Sequence, residues 1–371
     1  MQLKTNTRLT FATAILLLCC SMAFSQIGTR FPSEKKIIKD PITGHKLIFL
    51  TTQSLGDSKT YPTHPQWTSD GNWLIFRSNR VKGEAMAVHE KSGVIVQVTE
   101  GGYSGTLCIA QKTMKLYFMR SSIGNSMQVV EVDLLQLFQD SNSGKLKSAN
   151  HYERVCGKTP DSMGATGDMA LDADEEVVYF RIGKEEASQY LSPEIALEKN
   201  FGPRNMGAGP GGIGSMNIRT GALQHVVSVP FQVGHIQSNT WNPGEIIFWW
   251  ETGGKAPQRT WTVRADGTGL RPLYPEADYE WVTHEAVIAK DEVALAIMGH
   301  RKIDIQKEKP IQITDSKEVR NTINPGQESN WGPSGTREKP TGLAIINLRT
   351  REMEIVGQTP AGSGLWHVHG S

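Results

Sequence analysis

The sequence predicts an all-β chain folded as a β-propeller, and three observations carry that prediction. Short apolar runs recur between Gly/Asp turns, as in Trp73-Leu74-Ile75-Phe76-Arg77, Lys115-Leu116-Tyr117-Phe118-Met119-Arg120 and Glu176-Val177-Val178-Tyr179-Phe180-Arg181. These runs group into units of four short antiparallel strands, with a period of about 40 to 50 residues. Finally, Gly234-His235-Ile236-Gln237, Thr283-His284-Glu285 and Trp366-His367-Val368-His369 each open a unit at one phase of the repeat. Residues at one phase of a radial repeat converge on its axis.

In chain order, the first stretch is a targeting signal. Lys4 and Arg8 precede an apolar run from Leu9 to Phe24, and Ala23-Phe24-Ser25 forms a small-residue cleavage site before Gln26. Residues 1–25 therefore read as a secretory signal, and the mature chain is expected in the periplasm or outside the cell. A membrane anchor is the weaker alternative, because the run is short for a spanning helix. Residues 26–39 read as a linker and 40–371 as the propeller domain. Ile42 to Leu50 reads as an isolated outer strand that completes the last blade.

Full units are expected to begin near Thr63, Gly105, Gly167, His235 and His284. A sixth begins near His367 and breaks off at Ser371. An inner strand without neighbours would leave backbone groups unpaired, so the expectation is a propeller truncated after about five blades. The competing expectation is a five-bladed ring with a tail. Ser192 to Lys199 looks helical, and Gly207 to Gly214 is too glycine-rich to be a strand, so this region is expected to be a surface loop. A second insertion, 302–339, carries Trp331.

A formal net charge of +1 with 21% charged residues implies neither nucleic acid nor an anionic membrane surface as a general partner. Cys108 and Cys156 remain after signal removal, in different units, and read as core residues; export would permit a disulfide between them. No Gly-x-Ser-x-Gly elbow is present, which discounts a serine hydrolase. No residue pattern signals an oligomeric state.

The candidate chemistry sits on histidine. His235 opens an inner strand ahead of Gln237, and its unit runs on through Trp250, Glu251 and Arg259. An imidazole titrates near neutrality and suits a general base, although it can equally serve as a hydrogen-bond strut between blades. Imidazoles from several blades, His284, His367 and His369 among them, suit a borderline divalent ion such as manganese, nickel or zinc. His367 and His369 alternate along a strand and point to opposite faces, so both serve one site only at a strand end or bulge.

From about Asp40 onward the chain resembles the oligogalacturonate lyases, seven-bladed propellers that split pectin-derived oligouronides by β-elimination. The likeness is most specific in Val233-Gly234-His235, in Trp249-Trp250-Glu251-Thr252-Gly253 with Arg259-Thr260-Trp261, in Arg264-Ala265-Asp266-Gly267-Thr268 and in Val282-Thr283-His284-Glu285. The resemblance implies an exported lyase acting on short oligogalacturonides, with His235 as base and a divalent metal, Mn2+, bound through His284, His367 and His369. It places Gln237, Glu251, Arg259 and Trp250 at the substrate and Arg204 as the nearest counterpart of an auxiliary arginine. The chain departs from the family in that Gly364 stands where the family has a glutamine upstream of its His-x-His pair, and by blade count His367 opens the penultimate unit, so the alternative expectation is that the family's pair lies beyond Ser371. The alternative is a non-catalytic TolB-like propeller that binds a protein or glycan.

Overall fold

A computed structural model of the chain describes residues 26–298 apart from 203, 255 and 277–279, and then 341–358, 365 and 368. Among these residues the prediction of an all-β propeller holds: five sheets each contain four antiparallel strands in up-and-down order. The first blade comprises Ser58–Lys59, Trp73–Arg77, Ala85–His89 and Ile95–Gln97; the second Ser104–Ile109, Lys115–Ser121, Met127–Asp133 and Glu153–Lys158. The third comprises Met169–Leu171, Val177–Ile182, Ala208–Asn217 and Leu223–Phe231; the fourth Val233–Ser238, Glu245–Trp250, Thr260–Arg264 and Arg271–Pro272. Trp281–Ala289, Glu292–Met298, Thr341–Asn347 and Met353–Gln358 form the fifth.

The apolar runs are continuous, not alternating, because a blade is covered on both faces. Ile75 and Val96 of the first blade pack with Leu107, Phe118 and Val130 of the second. Cys108, Tyr117 and Val129 meet Phe180 of the third, and Ile213 and Phe231 meet Phe248 and Trp261 of the fourth. Each fully buried side chain of this size contributes about 1.5–3 kcal/mol before entropy is counted. Cys108 and Cys156 are free thiols in this packing, as the core reading expected, but they lie on the inner and outer strands of the second blade and not in different units.

Four local expectations change. Residues 26–31, read as linker, are built into the first blade: Ile27 is fully buried, and Arg30–Phe31 pairs with Val96 and Ile95 to add a fifth, outer strand. The strand expected to complete the last blade instead forms a separate hairpin, with Lys46–Phe49 on Lys36–Lys39. Ser192 to Lys199 is not helical. A helix lies at Leu134–Ser143, where Asp133 caps the Gln136 N–H, and Phe138 stacks on Trp73 at 4.0 Å.

The glycine-rich run is a strand after all, and steric crowding explains its composition. A Cβ on Gly209 would stand 1.9 Å from the Pro230 carbonyl oxygen, and one on Gly211 would stand 2.5 Å from that of Phe231. Only glycine lets this strand lie so close to its outer neighbour. Among the described residues no helix is long and apolar enough to cross a membrane.

The inner strands converge. Those of the second, third and fourth blades lie side by side, and Thr106 N–H donates to the Gly167 carbonyl at 2.8 Å. The approach to the first blade reaches across this centre: His64 Nε2 lies 2.9 Å from the Met169 carbonyl oxygen of the third blade.

Candidate active site

His235 sits on a β-bulge. Gly234 pairs with Trp249 and Gln237 with Ile247, so the two intervening residues face one partner, and His235 takes a φ of 51°. That conformation is uncommon for a residue with a Cβ and is held here from the neighbouring blade. Asp168 accepts the His235 N–H at 2.8 Å and the Ile236 N–H at 3.2 Å. His284 occupies the equivalent bulge of the fifth blade with a φ of 53°.

The bulges bring the two histidines to one place. The His235 ring stacks on Trp249 at 3.8 Å and 19°, and the His284 ring meets the same indole edge-on at 5.6 Å. Tyr61, arriving from the first blade, lies 4.7 Å from His235 and 6.3 Å from His284. The two imidazoles thus share a centre, as the repeat phase predicted.

Glu251 completes the group. Its Oε2 is 2.7 Å from His235 Nε2, and its Oε1 accepts the Gly253 N–H at 2.7 Å. Gly234 makes this approach available, since a Cβ there would come within 2.8 Å of the Glu251 Cβ. Burial alone would raise the Glu251 carboxyl, but the His235 hydrogen bond and the Arg259 charge outweigh it and hold the group at about 2. An ionised carboxylate at Nε2 favours the proton on that nitrogen and leaves Nδ1 as the basic one. Arg259 is buried, with its guanidinium 4.1 Å over the Trp249 ring and Nη1 donating to the Gly254 carbonyl at 2.6 Å.

Other carboxyls nearby are pushed the opposite way. Burial raises Asp168 and, more strongly, Glu285, whose two carboxyl oxygens find no hydrogen-bond partner among the described residues. Burial also pushes Glu276 up to about 7, although its Oε1 accepts from Thr260 N–H at 2.8 Å and Arg259 N–H at 3.0 Å. His64 is driven down to about 4 by burial and is a neutral strut, with Nδ1 on the Thr63 hydroxyl at 2.7 Å.

A cavity of about 200 Å³ opens beside this cluster, lined by His235, Tyr61, Asp168, Arg77, Thr106 and His64 among others. Of the residues expected at the site, His235, Glu251, Arg259 and His284 are brought together. Gln237 is buried, donating to the Glu285 carbonyl at 3.0 Å, and Trp250 is buried with its indole N–H on the Gly207 carbonyl at 2.9 Å. These two are packing elements between strands, which disagrees with the substrate contacts expected of them. Arg204 is exposed and borders Gly253, in the turn that holds Glu251. His367 and His369 lie outside the described residues.

Among the described residues, no group of three or more His, Cys, Asp or Glu is arranged to hold a metal ion. His284 has its Nδ1 2.7 Å from the Thr283 hydroxyl, an outer contact of the kind that orients a metal-binding imidazole, but it is one donor and not a set. Tyr61, Asp168 and Arg77 were not anticipated. Asp168 had a legible signal, since it follows Gly167 at the start of its unit as His235 follows Gly234.

No protein-family profile and no curated protein sequence matches the chain. Solved structures do. An oligogalacturonate lyase in complex with manganese superposes with a TM-score of 0.63 at 16% identity, over 92% of this chain and 77% of that one. The oligogalacturonate lyase of Vibrio parahaemolyticus gives 0.63 at 18% identity, over 92% and 76%. The described chain therefore has the propeller fold seen in solved oligogalacturonate lyases.

Proposed function

We propose that this chain is an exported lyase that cleaves oligogalacturonides by β-elimination, with His235 as the base. The supporting observation is the His235–Glu251 pair at a strained bulge on the wall of the central cavity. Strain of this kind costs about 1–3 kcal/mol and is retained where geometry matters to function.

In the proposed reaction the C5 proton of a uronate, acidified by the adjacent carboxylate, passes to His235 Nδ1. The C5–H electron pair forms the C4–C5 double bond as the C4–O bond breaks. The departing oxygen leaves with that bond's electron pair and is protonated from solvent. Glu251 stabilises the imidazolium that forms, and Asp168 keeps the bulge from relaxing. A divalent ion such as manganese would supply electrostatic stabilisation of the uronate carboxylate, with His284 as one donor and His367 and His369 as the expected others. The described donors alone do not make that site, so no step above runs through it. Arg204, at the edge of the Glu251 turn, is assigned to the rim that the substrate passes.

The test is to mix the full chain with oligogalacturonides, with and without added manganese, and follow the ultraviolet absorbance of the conjugated double bond. Absorbance should rise, and the rise should vanish in His235→Ala. A folded protein that binds these sugars without any rise would be a binding propeller and not a lyase.

A further inference from the structure

We propose that Arg77 is the anion anchor of the central cavity, placed to hold the carboxylate of an acidic sugar beside His235. The identity of the sugar rests on the lyase reading above; the existence of an anion site rests on the geometry of Arg77 itself.

The repeat supplies the comparison. Arg77, Arg120 and Arg181 close the apolar run of the second strand in the first three blades. Arg120 is forked onto Glu153, with both Nη1 and Nη2 at 3.0 Å from its carboxylate oxygens. Arg181 donates through Nε to the Thr166 hydroxyl at 3.1 Å and lies within the electrostatic reach of Asp168. Among the described residues Arg77 has neither kind of partner. Its Nη2 donates to the Gly105 carbonyl at 3.2 Å, its Nε is buried without an acceptor, and no described carboxylate is within ion-pair distance of it.

A guanidinium left in this state favours an acceptor of matching shape, and a carboxylate presents two oxygens in the plane of its fork. The described surroundings do not supply one. Across the cavity Asp168 has its oxygens on the His235 and Ile236 N–H groups, while His64 is committed to Thr63 and the Met169 carbonyl. The open space of about 200 Å³ that these groups line admits a ligand carboxylate. Thr106 lines the same space and carries a hydroxyl, a group able to donate a hydrogen bond. A ligand anchored by its carboxylate at Arg77 would present the neighbouring carbon to the same cavity wall that carries His235.

The experiment uses the full chain with galacturonate, which has no glycosidic bond to eliminate, and with galactose, its neutral counterpart. Binding is followed by NMR titration of the wild type and of Arg77→Gln. The wild type should prefer galacturonate by about tenfold or more, a charge-assisted fork being roughly twice as strong as a neutral hydrogen bond. Arg77→Gln should lose that preference while its melting temperature and its affinity for galactose stay near those of the wild type. A preference that persists in Arg77→Gln, or no preference in the wild type, overturns the proposal. Should Arg77→Gln not fold, a crystal of the wild type soaked with galacturonate decides: a carboxylate within hydrogen-bond distance of Arg77 supports the anchor, and one bound elsewhere removes it. The two readings fail separately. An Arg77-dependent preference without conjugated product from oligogalacturonides keeps the anchor and sinks the lyase, whereas wild-type turnover by Arg77→Gln keeps the lyase and sinks the anchor.

Discussion

The inner strands of the second and fourth blades bulge at the same point and fill it with different residues. In the second blade Ser104 pairs with Met119 and Leu107 with Phe118, and the first extra residue is Gly105 at a φ of 74°. In the fourth it is His235 at 51°, and in the fifth His284 at 53°. Glycine adopts such angles without steric penalty, and histidine does not. At Gly105 the backbone of the next blade is in contact, since a Cβ there would lie 2.1 Å from the Gly167 carbonyl oxygen. At His235 the space holds an imidazole between Trp249, Tyr61 and Glu251. One bulge seats the next blade closely, and the other presents an imidazole ring at the cost of some backbone strain.

The largest expected effect breaks that contrast at its proposed catalytic end. His235→Ala should lose about a thousandfold in kcat/KM on oligogalacturonides with the circular dichroism of the folded chain retained. Equal activity in the variant would make the fourth-blade bulge as inert as the second. Next comes the packing end. Gly105→Ala should lower the stability read from urea unfolding by about 3 kcal/mol, through both the positive φ and the clash with Gly167. An unchanged midpoint would show that the blades separate there without penalty.

Glu251→Gln sharpens the assignment of His235, because it keeps the shape and removes the charge. Its kcat should fall about 10- to 100-fold with KM little changed. The same variant tests the acid limb of stability. The folded-state value of Glu251 is depressed from 4.5 to about 2, so its contribution is complete above 4.5 and is lost as pH falls toward 2. Urea midpoints measured across that window should decline less in Glu251→Gln than in the wild type. The smallest expected effect is a gain. His284→Gly gives the fifth blade the residue of the second and should raise stability by about 1 kcal/mol through relief of the positive φ. A loss of stability would mean that contacts of the His284 ring outweigh its backbone strain.

Much of the fold was legible because a repeat states its period several times over. The four-strand units, their starts near Gly105, Gly167, His235 and His284, and the shared phase of two histidines all read directly from short apolar runs and turns. What stayed hidden depends on contacts between distant segments. Residues 208–217 look like a loop until the closeness of Pro230 and Phe231 explains the glycines. Residues 26–31 look like a tether because the strand edge they join lies more than sixty residues away in sequence. The site follows the same division. His235, Glu251 and Arg259 share one unit and were named together, whereas Tyr61, Arg77 and Asp168 arrive from other blades. Gln237 and Trp250 misled for the complementary reason: adjacency in sequence put them near the site, while strand alternation and a register shift turned them into the packing.

Trp249 has a spectroscopic consequence. Its indole is wholly enclosed and lies flat against the His235 imidazole, with the Arg259 guanidinium also over its ring. A protonated imidazole in such contact quenches indole emission more than a neutral one does. The brightness of this tryptophan should therefore report whether the ring beside it carries a proton, with Trp249→Phe as the control, giving an optical read-out of the imidazole proposed as the base.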